Sequence, residues 1–213
     1  MITVIGNLKG GSGKSTIAFN LGVWLAWQEC DVKLLDLDPQ KTLTDLIEVR
    51  DEEGYTPTLK LLPSDMPLEN LRKQRGEVIV DVGAANMVGM FAAISQAHRL
   101  LIPLVPGQAD VWSTQRFLNM IASHRHPECQ AVMFLNRTDP LGGSKEAREA
   151  AEAISMLKSA TALSARLSQR VWLCRTLSEG LAVFEMEPRD KASLEFLHLA
   201  QSLYPMMPIK KTW

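Results

Sequence analysis

An apolar strand that runs into a Gly-rich turn and restarts at once as a helix leaves a chain few folds to choose from. Here Ile2 to Ile5 is the apolar run, Lys9-Gly10-Gly11-Ser12-Gly13-Lys14-Ser15-Thr16 is the turn, and a helical pattern opens from Ile17. This arrangement aims several backbone N–H groups and the positive end of a helix dipole at one point, which suits a polyphosphate. Lys14 would reach the terminal phosphates as a point charge, and the Ser15 hydroxyl would enter the coordination shell of Mg²⁺. Thr16 is expected to start the helix. A Gly-rich turn without a ligand is the plainer alternative, and the order of strand, loop, Lys-Ser pair and helix speaks against it.

Two later strands end in acids. The run Val32 to Gln40 hands Asp36 and Asp38 to a loop, at the end of the strand where open parallel sheets bind ligands. An Asp ahead of Pro39 and Thr42 also suits a helix cap or turn. Glu77-Val78-Ile79-Val80-Asp81 is a buried apolar strand whose terminal carboxylate could hold Mg²⁺ through a water. Gly83 just beyond it would let the backbone approach a phosphate closely. Arg99 to Leu104 reads as the next strand, with Asp110 as the cap of a helix from Val111 to about Ser123.

Gln130 to Leu135 delivers Asn136 and Arg137 to a strand end, where an Asn side chain offers both donor and acceptor or simply stabilises a turn. Ser144 should cap a helix near Lys145, and Pro188 should start another that runs to about Leu203. Alternation of this kind predicts one α/β domain over residues 1–213. Its sheet is mostly parallel and doubly wound, with helices on both faces and the acid-bearing loops converging on the phosphate loop.

The run Lys9-Gly10-Gly11-x-Gly13-Lys14-Ser15-Thr16, with Leu8 where an ordinary P-loop NTPase has Gly, resembles the deviant Walker ATPases of the ParA/MinD family. Its compact size is similar to that of the small plasmid-type ParA proteins. The resemblance implies ATP and Mg²⁺ as ligands, an ATP-dependent homodimer and slow, switch-type hydrolysis. Catalytic roles would fall on Lys14, on Asp38 as positioner of the attacking water, with Asp36 secondary, and on Lys9, which would contact the nucleotide of the partner subunit. Nucleotide contacts would come from residues 9–16 and, beside the adenine, from Asn136 and Arg137. Ser15, Asp38 and Asp81 would serve the metal. The segment Val82-Gly83-Ala84-Ala85-Asn86 departs from the family, where Pro is common two residues after the acid.

Positioning or segregation of a cargo is the function so implied, foremost plasmid or chromosome partition with a ParB-like adaptor and nonspecific DNA as track. Cycling on a membrane in the manner of MinD, or a non-DNA cargo, are the alternatives. With a formal net charge of −1 the whole molecule has no attraction for nucleic acid, so DNA would need a local patch. Ser155 to Ser178 contains Lys158, Arg166, Arg170 and Arg175 and no acid, and Arg166, Arg170 and Arg175 are the candidates, unless carboxylates elsewhere pair with them. The tail from Tyr204 to Trp213, broken by Pro205 and Pro208, disfavours an amphipathic membrane helix. Three scattered cysteines (Cys30, Cys129, Cys174) fit a reducing cytoplasm, and neither a disulfide framework nor an iron–sulfur cluster.

Overall fold

The computed structural model describes residues 1–210. Seven parallel strands form one sheet in the order β3-β2-β4-β1-β5-β6-β7. They are β1 Ile2–Ile5, β2 Val32–Asp36, β3 Lys60–Leu61, β4 Glu77–Asp81, β5 Arg99–Leu104, β6 Gln130–Leu135 and β7 Thr161–Ala162. The helices between and after them are α1 Lys14–Trp27, α2 Thr42–Glu52, α3 Met87–Gln96, α4 Gln108–Ile121, α5 Lys145–Ser155, α6 Val171–Glu179, α7 Val183–Met186 and α8 Lys191–Leu203. β1 and β2 are buried along their whole length, as expected of parallel strands covered on both faces.

One side of the sheet packs against α1, α2, α7 and α8 through Ile17, Leu21, Leu46, Val183, Phe196 and Leu199. The other packs against α3, α4 and α5 through Met90, Ile94, Phe117, Leu118 and Ile154. Register then sets the site. Ile5 and Asp36 both lie opposite Asp81, so the loops after β1, β2 and β4 leave the sheet at one level.

Helix α1 is enclosed on all sides, with Ile17 to Leu25 buried throughout. Its inner face meets the sheet, and its outer face is covered by the last third of the chain. There the Val183 N–H donates to Asn20 Oδ1 at 2.8 Å and Trp27 Nε1 donates to Glu185 Oε1 at 2.7 Å. Glu185 is also gripped by Arg50 of α2, at 2.8 and 2.9 Å. The Arg50 guanidinium is wholly buried and donates in addition to the carbonyls of Pro57 and Gly180.

Several helix starts differ from the sequence expectation. α1 begins at Lys14, two residues before Thr16, because Gly13 takes the left-handed conformation that turns the loop into the helix. α4 begins at Gln108 with Gly107 as its cap, so Asp110 lies inside the first turn and does not cap. α8 starts at Lys191, capped by Asp190 on the Ala192 N–H at 2.7 Å, and Pro188 falls in the preceding turn. Leu68 to Lys73 is a 3-10 helix. Ser144 caps α5 as expected, accepting from the Ala147 N–H at 3.1 Å. The tail holds no helix from Tyr204 to Lys210; its residues 211–213 lie outside the described residues.

Candidate functional site

Gly11 (φ 72°) and Gly13 (φ 88°) take left-handed backbone that other residues seldom adopt, and this curls residues 9–13 over the N-terminus of α1. At Gly13 a second constraint applies: a Cβ would lie 2.5 Å from Asn136 Nδ2. The same Asn136 nitrogen donates to the Ser12 carbonyl at 2.7 Å. Asn136 thus buttresses the phosphate loop with its amide nitrogen. Arg137 beside it is exposed, and lines a groove with Gly13, Thr16, Ile17 and Leu173. Ser12 Oγ is buried without a partner.

Lys14 lies under the loop, its Nζ 3.4 Å from the Lys9 carbonyl. Burial lowers its pKa, and the carboxylates of Asp81 and Asp38 oppose that shift. Asp81 is fully buried and both its oxygens lack a hydrogen-bond partner. Burial pushes its carboxyl up to about 7, while the nearby Ser15 hydroxyl pulls it down without meeting hydrogen-bond geometry. An orphaned carboxylate next to a hydroxyl and a lysine suits a divalent cation, which would restore the interactions that burial removes. The donor set therefore fits Mg²⁺.

Of the two acids after β2, Asp36 is spent on the fold. Its Oδ1 accepts from the Asp38 N–H, and its Oδ2 from the N–H and hydroxyl of Thr44 in the first turn of α2, all at 2.9 Å. Asp36 thus ties down the first turn of α2 from outside it, while the cap position itself is Lys41. Asp38 is half-buried and, among the described residues, accepts from the Gln40 N–H alone, at 2.9 Å, which leaves its second oxygen for a ligand. That oxygen packs on Gly83, where any Cβ would run into it.

Lys9 reaches toward α4. Its ammonium is 46% exposed and lies 4.0 Å from Asp110 on α4. Its backbone N–H leans on Asn7 Oδ1 at 3.4 Å, and Asn7 Nδ2 donates to the Pro103 carbonyl at 2.8 Å. Sequence reading missed Asn7. It also missed Asn86, although an Asn just ahead of the apolar run Met87 to Ile94 is a cap signal.

The basic stretch is split by its partners. Arg170 is bound by Glu195 of α8 at 2.7 and 3.1 Å, which raises its pKa and removes it from the free basic surface. Arg166 and Arg175 are exposed, the latter stacked over Trp172 with 4.9 Å to the ring centroid. Among the described residues no helix is long and apolar enough to cross a membrane.

The sequence profile of the CobQ/CobB/MinD/ParA nucleotide binding domain matches residues 3–168. The chain belongs to this family. Its fold is that of the ParA/MinD P-loop NTPases. Among similar proteins, "Maintenance of carboxysome distribution protein A" of Halothiobacillus neapolitanus is 28% identical over 199 residues, 90% of each chain. A chain of the MinC:MinD cell division protein complex of Aquifex aeolicus superposes with a TM-score of 0.74 at 20% identity, covering 99% of this chain and 98% of that one. A plasmid partition protein of Borrelia burgdorferi bound to AMPPNP gives 0.73 at 18% identity, covering 96% and 98%. At these identities the two structures speak for the fold alone.

Proposed function

We propose that this ParA/MinD-family chain is an Mg²⁺-dependent ATPase whose ATP-bound form pairs with a second copy and whose slow hydrolysis releases the pair. Spatial positioning of a cargo is the work this cycle performs. The observation that carries the reading is the division of labour between two lysines. Lys14 lies buried against Asp81 and Asp38, where it serves a phosphate in its own subunit. Lys9 stands exposed at the mouth of the same loop, with only a distant carboxylate for company. A second lysine there has a use if a second subunit presents its nucleotide to it.

Backbone N–H groups of residues 10–16 and Lys14 would hold the phosphates, and the groove beside Arg137 would take the base. Ser15 and Asp81 would hold Mg²⁺, which supplies charge neutralisation on the phosphates. Asp38, free on one oxygen and fixed by Gln40 on the other, would orient the attacking water. Charge-assisted contacts that exist only in the pair would give ATP the differential affinity needed to shift the assembly equilibrium. Lys9→Ala should therefore bind ATP and stay monomeric, as read by light scattering with ATP and Mg²⁺. A variant that dimerises like its parent would sink the trans contact.

The track we propose is nonspecific DNA, with a ParB-like adaptor and a plasmid or chromosome as cargo, in a cytoplasmic setting. Arg166 and Arg175 are the candidate arginines that remain exposed for it, and pairing two subunits would double the patch. In the Arg166→Ala/Arg175→Ala variant, ATP-dependent retention on DNA should weaken about tenfold or more at moderate salt, and the salt slope should flatten. Equal retention of parent and variant across a salt series would rule this face out. A proteinaceous cargo is the second reading, favoured by the 90% mutual coverage with a carboxysome-distribution protein. Pull-down of the adaptor with its cargo separates the two.

A further inference from the structure

The peptide unit joining Leu37 to Asp38 is held at both of its polar atoms by side chains from different segments. Its carbonyl oxygen, on Leu37, accepts from Asn86 Nδ2 at 3.0 Å. Its N–H, on Asp38, donates to Asp36 Oδ1 at 2.9 Å. One bond earlier, the Leu37 N–H donates to the Asp81 carbonyl at 2.8 Å. A peptide unit is planar and turns as a body, so fixing its oxygen and its nitrogen fixes where it delivers the Asp38 Cα, and the Gln40 N–H then holds the carboxylate that hangs from it.

The two grips differ in what they are attached to. Asp36 is bound into α2 through Thr44 and stays with β2. Asn86 belongs to the turn after β4: its own N–H donates to the Gly83 carbonyl at 3.0 Å, and its Oδ1 caps α3 by accepting from the Gly89 N–H at 2.9 Å. Gly89 makes room for that side chain, since a Cβ there would come within 2.5 Å of Asn86 Nδ2. From Val82 to Ala97 the chain carries no charged residue, so this segment has no ionic means of steering Asp38. Its polar link to the Asp38 loop is the Asn86 amide, while Gly83 supplies contact by packing on the carboxylate.

We infer that Asn86 is a positioning residue whose side-chain amide clamps the Leu37–Asp38 peptide, so that the aim of the Asp38 carboxylate depends on the placement of the Gly83 to Asn86 turn and of α3. The inference rests on the proposed role of Asp38 in hydrolysis. It gives a use to the segment that departs from the family pattern, because a shift of this turn reaches the water-orienting acid through one hydrogen bond. The oxygen of Asn86 serves the helix and the nitrogen serves the clamp, and this separation makes the inference testable.

Asn86→Ser and Asn86→Asp both keep a capping oxygen and lose the amide donor; Asn86→Ala loses both. The two polar variants should keep the parent's thermal midpoint and a KM for ATP within about threefold, while kcat falls about tenfold or more, since small misplacements of an orienting group are costly. Asn86→Ala should lose the same turnover and melt lower as well. Amide hydrogen exchange over residues 38–41 should quicken in the serine variant even without nucleotide, with α1 unchanged. In an active parent, either readout moving alone overturns the inference: a kcat loss without faster exchange does not run through this peptide, and faster exchange at full kcat means the peptide does not set the rate. Full kcat and unchanged exchange in both polar variants would leave Asn86 a helix cap and nothing more. A parent that hydrolyses no ATP counts against the proposed function; in that case exchange alone decides the clamp, quickening in the serine variant supporting it and an unchanged rate overturning it.

Discussion

The Asp38→Ala protein is expected to bind ATP as its parent does and to lose about 10²-fold in kcat, the ordinary worth of a positioned acid–base group. Three carboxylates crowd the C-terminal ends of β2 and β4, and their surroundings set them to different uses. Asp36 accepts three hydrogen bonds from its own loop and from α2 and has little left to offer a ligand. Asp81 is buried and faces Ser15 and Lys14, as a metal-directed group would. Asp38 alone of the three is half-exposed with an oxygen that no donor occupies. Its removal takes nothing from the phosphate cradle, so calorimetric ATP affinity should stay within about threefold while phosphate release slows about 10²-fold. Unchanged steady-state hydrolysis would return Asp38 to the role of a turn residue.

The largest loss of stability should come from Arg50→Ala, at about 3–5 kcal/mol, which is the usual consequence of deleting one member of a buried ion pair. Arg50 spends four hydrogen bonds on Pro57, Gly180 and Glu185, and it has no exposed surface. Without it the Glu185 carboxylate keeps the Trp27 indole and the Ala182 N–H but has lost its countercharge. For a chain of this size the thermal midpoint should fall by about 10 °C. Arg72→Ala is the control: Arg72 is partly exposed, 3.5 Å from Glu128, and should cost about 0.5 kcal/mol or less. Equal melting of the two variants would show that the buried pair is not what fastens α2 to the C-terminal helices.

The phosphate loop, the strands that flank it and the acids at their ends were legible in the sequence because each is encoded within a few neighbouring residues. Apolar runs mark the strands, glycines mark the turn, and Lys14, Ser15 and Asp81 follow from their places in those runs. What could not be read are choices made by distant partners. Asn136 looks free to meet a ligand until Ser12, 124 residues away, takes its amide. Arg170 reads as one of a cluster of cations until Glu195 arrives from α8 to neutralise it. Asp110 has the identity of a cap, yet Gly107 ends the loop three residues sooner and draws the start of α4 back with it. Residues 171–186 fold into α6 and α7, and the packing of α6 over α1 and α2 is a contact no local pattern announces.

The enclosure of α1 sets an order of events during synthesis. The phosphate loop and α1 leave the ribosome ahead of Val183 and Glu185, which close over the outer face of α1 and follow more than 150 residues later by their spacing from Trp27. At ordinary elongation rates that is a delay of roughly 10 s or more. Until it ends, α1 can be covered by the sheet and α2 alone, and the family-matched segment, which stops at residue 168, contains none of the C-terminal helices that close over it. A nascent chain halted before Glu185 therefore carries every residue of the phosphate loop on a helix that still shows an apolar flank to solvent. Such a chain is a client for chaperones before it is a partner for ATP.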